Sequence, residues 1–220
     1  GHLGFVRAVS GGRFLMGGEY AGGLLIRVNP AGDDREEWFI EEPDVTLRDA
    51  VEVPGGVIAV GSHGADCLVA FFEDGGVVGW QSRTSRQGCA PCWGAFSVTP
   101  SADGVIIGGS PNNLIWSMSL LGETLWMWAE PGDGIVPWAV EGDAAYSARW
   151  VTSNPREPPI HEVVRLSLAD RRVEARRETG LDLPCEAPVY LHSTPLQRLE
   201  AERFAHGVAI GCPGEEDVHL

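Results

Sequence analysis

Cys89-Ala-Pro-Cys92 is a C-x-x-C pair, the spacing that lets two thiols share a disulfide, a metal ion or a redox cycle. A thioredoxin-type pair sits where a strand runs into a helix, whereas the stretch around Cys89 reads as a loop between two β segments. A four-thiolate zinc site needs a second such pair, and Cys67, Cys185 and Cys212 do not form one. The leading reading is a structural disulfide, either within the pair or from it to Cys185. Buried free thiols, or a metal or redox site, are the other readings. Cys67 lies in an apolar run and is expected to be a core thiol. The histidines at 2, 63, 161, 192, 206 and 219 show no metal spacing. His161-Glu162 lacks a second histidine four residues on, so the zinc-protease helix signature fails and no metal is expected. Neither a Gly-x-Ser-x-Gly elbow nor a Gly-x-Gly-x-x-Gly loop occurs, and no cofactor is expected. The carboxylate pairs Glu36-Glu37 and Glu215-Glu216 read as solvated turns.

Charge removes further classes. The 220 residues carry a formal net charge of −15, and all 16 basic side chains are arginine. Without lysine there is no P-loop amine and no Schiff base. A surface this acidic repels nucleic-acid backbone and anionic lipid, so neither is expected as a partner. No apolar run approaches the roughly 20 residues that span a bilayer, and Gly-His-Leu-Gly-Phe does not resemble a signal peptide. A soluble protein of unknown localisation is the expectation.

The elements that must position these groups repeat. Ala8–Gly18, Ala50–Ser62 and Ala95–Ser110 each run from a small and an apolar residue through a Gly-rich turn into an apolar strand. Ala139–Arg149 fits more loosely, and a fainter fifth unit opens at Ala187. The alanines are spaced by 42, 45, 44 and 48 residues, the period of a four-stranded β unit. Third strands are expected at Leu24–Val28, Cys67–Phe72, Leu114–Leu120 and Val163–Leu168. Fourth strands carry Trp38, Trp80 and Trp126, replaced in the fourth unit by the arginine-rich run Arg172 to Arg177. Tryptophans on first and fourth strands are expected to pack between units rather than to bind sugars. The one helix expected is Thr194–Ala205, with a threonine cap and proline at its first position.

These repeats resemble the β-propeller superfamily, in particular quinoprotein-like blades, with Cys67–Trp80 the nearest stretch. The resemblance covers roughly residues 5–185 and implies a fold rather than an activity. It implies an all-β propeller of about five four-stranded blades forming a single domain, at 5–45, 46–91, 92–135, 136–184 and 185–220. The last blade is atypical or incomplete and holds the inserted helix. Either the N-terminal strand closes the ring or the chain is part of a larger propeller.

In a propeller the first strands line the axis, and the loops entering them surround one mouth. Those loops are expected at Glu41–Thr46, Gln81–Pro91, Glu130–Val136 and Glu178–Pro184. Arg7, Asp49, Trp138 and Glu186 stand just before repeat alanines, with His63 at the mouth's rim. Such a set suits a small polar or cationic ligand. The expected function is therefore a ligand- or protein-binding module using the mouth of the channel. The alternative is a hydrolase or lyase working through Asp49, Glu186 and His63 or His161. A lectin with repeated pockets ranks last, because the loops differ from unit to unit.

Overall fold

The computed structural model describes residues 1–84, 94–110, 114–129, 135–141, 144–151 and 160–178. The expected helix Thr194–Ala205, the whole fifth unit, and Cys89, Cys92, Cys185 and Glu186 lie outside the described residues.

Sixteen strands follow one another along the described chain. The first unit holds β1 (His2–Ala8), β2 (Phe14–Glu19), β3 (Gly23–Val28) and β4 (Arg35–Ile40). The second holds β5 (Val45–Val53), β6 (Gly56–His63), β7 (Asp66–Glu73) and β8 (Val77–Thr84). The third holds β9 (Gly94–Ser101), β10 (Gly104–Ser110), β11 (Leu114–Met118) and β12 (Thr124–Ala129). The fourth holds β13 (Ile135–Glu141), β14 (Ala144–Val151), β15 (Ile160–Ser167) and β16 (Arg172–Glu178). Each unit is one antiparallel four-stranded sheet in simple up-and-down order. The protein is thus an all-β chain of four such sheets in series. Among the described residues only a three-residue 3-10 turn at Ser10–Gly12 is helical, and no helix is long and apolar enough to cross a membrane.

Turn chemistry explains the short hairpins. Gly55, Gly64 and Gly122 take positive φ at the β5–β6, β6–β7 and β11–β12 turns, where a Cβ is disfavoured. Several expectations shift. Gln81–Thr84, expected as loop, continues β8, Val45–Thr46 and Ile135–Val136, also expected as loop, open β5 and β13, and Glu36 and Glu37 lie on β4 rather than in a turn. Both carboxylates are paired there, Glu36 with Arg27 and Glu37 with Arg35, and that pairing suits them to a strand.

The sheets stack through their first strands: β5 packs on β1, β2 and β3, β9 on β5, β6 and β7, and β13 on β9 and β10. Sheet two is apolar on both faces because it is covered on both. Val57, Ala59, Leu68, Ala70 and Phe72 join Leu15, Leu25 and Trp38 of sheet one in one core. Ile58, Val60 and Val69 join Val105, Ile107, Trp116 and Met118 of sheet three in the next, where Cys67 is buried as expected.

The fourth-strand tryptophans fasten one unit to the next. Trp38 is 1% exposed, and its indole N–H donates to the Glu73 carbonyl at the end of β7, 2.9 Å away. Trp80 repeats the bond one unit on, donating to the Leu120 carbonyl just beyond β11 at 3.0 Å. Trp126 packs against the cluster of Ile106, Ile115 and unit four's Leu166, and the Arg171 guanidinium lies 5.6 Å above its ring. The period of 42 and 46 residues thus has a physical cause: each unit needs the same anchor for its neighbour.

Every first strand carries one irregularity at a corresponding place. The register shifts between Leu3 and Phe5, Leu47 and Asp49, Gly108 and Gly109 (opposite β9), and Pro137 and Ala139. Each is a β-bulge that puts an extra residue into the first strand. Gly18 and Gly61 face two of these bulges, and a Cβ on Gly61 would overlap the Thr46 carbonyl. Gly61→Ala is therefore expected to cost about 1–3 kcal/mol, as other insertions into tight packing do, read from the urea midpoint.

Candidate functional site

The structure brings two of the sequence-selected residues together and separates a third. Arg7 projects from β1 and Asp49 from β5, and they are 5% and 2% exposed. The Arg7 Nη1 donates to Asp49 Oδ1 at 3.2 Å, to the Ala50 carbonyl at 2.8 Å and to the Val98 carbonyl at 3.0 Å. Asp49 Oδ1 also accepts from the Ala50 N–H, and Oδ2 accepts from the Val98 N–H, both at 2.9 Å. One ion pair thus joins the first strands of three sheets. Burying two charges costs several kcal/mol unless each is matched, and this geometry matches both. The Asp49 carboxylate accepts three bonds from the protein itself and is occupied in fastening the fold.

His63 belongs elsewhere. It pairs in register with Val45 at the start of β5, whereas Asp49 pairs with Val60. The three-residue step from Val60 to His63 puts His63 about 10 Å further along the strand. There His63 Nε2 lies 3.7 Å from Glu42 Oε2, and Arg83 donates to the same carboxylate. Thr46 Oγ1 donates to Glu19 Oε2 at 3.4 Å at this end of the sheets. Exposed Glu41 and Asp44 and part-exposed Asp66 lie at the same strand ends, so among the described residues acidic side chains outnumber basic ones there. The connector between β4 and β5 is held to the β6–β7 turn, where the Gly64 N–H donates to the Asp44 carbonyl at 2.9 Å. The face is thus built from two sheets and pinned by backbone.

Trp138 stands at the bulge of β13, between Pro137 and Ala139. Glu186 and the candidate disulfide cysteines Cys89, Cys92 and Cys185 lie outside the described residues.

A second charged constellation escapes sequence reading because it joins the β3–β4 hairpin, where Arg27 and Glu36 face each other, to Glu52 and Asp74 of the second unit. Arg27 is 7% exposed, and its guanidinium lies 5.3 Å from the Trp38 ring. Its Nε donates to Glu36 Oε2 at 2.6 Å, Nη2 to Asp74 Oδ1 at 2.9 Å, and Nη1 to Glu52 Oε1 at 3.4 Å. Burial opposes the Arg27 charge, yet its hydrogen bonds to Asp74 and Glu36 outweigh it and raise the pKa above that of free arginine. Glu52 also accepts from Arg13 Nη2 and from the Ser10 N–H, so this cluster clamps sheet one to sheet two at the opposite strand ends. Nothing in either cluster has metal-site character: among the described residues no group of three His, Cys, Asp or Glu side chains is placed to hold a cation.

No protein-family model matches the chain, and no curated protein matches it. What the protein does must therefore be read from these two faces and the buried pair between them.

Proposed function

We propose that the chain is a β-propeller acting as a binding module, and that it takes a cationic partner on the strand-end face carrying Glu19, Glu42, Asp66 and His63. The partner fitting that chemistry is a basic segment of another protein, with a small polar amine as the minimal ligand. The observation that carries this reading is the division of labour among the charges. Arg7 and Asp49 are spent on each other, whereas the carboxylates at the strand ends reach solvent on a backbone-pinned surface. An acidic field on a −15 protein steers cationic partners and repels anionic ones. The series of four-stranded sheets stacked through first strands supports the propeller form.

The hydrolase or lyase alternative has no observation in its favour among the described residues. Paired-carboxylate catalysis needs two carboxyl groups about 5–10 Å apart across a substrate, and Asp49 is enclosed by its own partners.

Calorimetric titration with an arginine- and lysine-rich peptide tests the reading, run at low salt and at high salt. The expected result is salt-sensitive binding that the triple variant Glu19→Gln, Glu42→Gln, Asp66→Asn weakens about tenfold, in keeping with exposed pairs of up to about 1 kcal/mol each. Equal binding by the triple variant, or none by the wild type, would overturn it.

A further inference from the structure

Each sheet ends outward on its fourth strand, and such an edge pairs with any extended chain unless charge, proline or a twist blocks it. β4 carries Arg35, Glu36 and Glu37, β8 carries Arg83, and β16 carries Arg172, Glu174, Arg176, Arg177 and Glu178. β12 reads Thr-Leu-Trp-Met-Trp-Ala from 124 to 129, with no charge, proline or glycine. It pairs with β11 on one side and with no described strand on the other. Its one irregularity falls between Thr124 and Trp126, so Trp126 to Ala129 run in regular register. Leu125 and Met127 are 45% and 47% exposed, and Leu121 in the turn before them is 80% exposed. Trp126 and Trp128 pack against the cluster of Ile106, Ile115 and Leu166, which backs the strand with a core. The edge is apolar, open and held in place.

We infer that β12 is a self-association edge, adding antiparallel to β12 of a second copy of this chain about a two-fold axis. Two four-stranded sheets then continue into each other through one ladder of backbone hydrogen bonds. The occupant must offer an extended backbone and uncharged side chains, since a charge set beside Met127 and the tryptophans would lose water without gaining a partner. The same strand of a second copy meets both demands. Charge selects it again. At −15 per copy two chains repel each other over most of their surfaces, and among the outer strands only β12 brings no charge of its own to the contact. The pairing does not depend on the propeller form, nor on the acidic strand-end face, whose binding to a cation salt weakens. Salt strengthens this one, because screening removes the repulsion between like-charged copies.

Analytical ultracentrifugation of the full chain from about 1 µM to about 1 mM, at low and at high salt, tests the inference. The expected result is a monomer–dimer equilibrium in the micromolar range that high salt strengthens. Met127→Lys, and separately Leu125→Lys, are expected to weaken it about tenfold or more with the circular dichroism unchanged, since lysine is what guards natural edges. Val77→Lys on β8, at a site 59% exposed, is the control and is expected to leave the equilibrium as it is. In the wild type, the backbone amides of residues 124–129 are expected to exchange more slowly as dimer forms, because strand addition covers their N–H groups. A chain that stays monomeric throughout, a dimer without that protection, or one that both lysine variants leave intact would overturn the inference. None of these results bears on the titration of the strand-end face, so the two readings fail separately.

Discussion

Replacing Asp49 with alanine is expected to lower the unfolding free energy by about 3–5 kcal/mol, the cost of leaving one half of a buried ion pair uncompensated. The loss has three sources here. The Arg7 guanidinium keeps its two carbonyl partners but loses its counter-charge, and the Val98 and Ala50 N–H groups lose their acceptor. A urea midpoint with an unchanged slope would report it as stability rather than as a change in the denatured state. The double variant Arg7→Met, Asp49→Leu separates pairing from packing. Removing both charges together is expected to recover most of the loss, because an apolar pair in the same space needs no compensation. A double variant as unstable as Asp49→Ala would show that the acceptor for the two N–H groups dominates instead. A single variant within 1 kcal/mol of the wild type, as an exposed pair would give, would show that the pair is not buried in solution.

Trp38→Ala is expected to be comparably damaging, at about 3–5 kcal/mol, because it opens a large cavity between the first two sheets. The Trp38 ring lies 6.2 Å from that of Phe72 and carries the Arg27 guanidinium on its face, so its loss loosens the Arg27 cluster as well. Trp38→Phe keeps much of the volume and deletes the bond to the Glu73 carbonyl, and is expected to cost about 1–3 kcal/mol. Thermal unfolding followed by circular dichroism reads both. If the phenylalanine variant matched the wild type, the indole bond would be ruled out as a fastening between sheets.

How far the sequence discloses this architecture depends on whether a feature is local or shared between units. Trp38, Trp80 and Trp126 are readable because each unit must present the same anchor, and so their period appears directly in the chain. The strands are readable for a similar reason: Val57–Val60 and Cys67–Phe72 are continuous apolar runs because neighbours cover both faces of sheet two. The site was harder. Arg7 and Asp49 each precede a repeat alanine and so look equivalent, yet they are not on the same rung. Arg7 pairs with Leu15 close to the wide β1–β2 turn, whereas Asp49 pairs with Val60 well back from the tight turn at Pro54-Gly55. Unequal hairpins shift the alanines against the register, and a motif aligned by eye inherits the shift. The offset lets Arg7 reach across the Asp49 level to the Val98 carbonyl. The Arg27 cluster was invisible for another reason: Glu36 faces Arg27 across the β3–β4 hairpin, but Glu52 and Asp74, 25 and 47 residues away, reach it only when the sheets stack.

A chain of stacked units would ordinarily open one unit at a time, because each touches only its neighbours. The Arg7–Asp49 pair changes that for the first three. The Val98 N–H of unit three is held by a carboxylate of unit two, which is itself held by a guanidinium of unit one. Detaching sheet one or sheet two strands a buried charge in the other, and detaching sheet three strips the pair of its Val98 carbonyl and N–H partners, so opening any of the three weakens the hold on the others. The first three units thereby acquire a cooperativity that packing between neighbours alone would not give them.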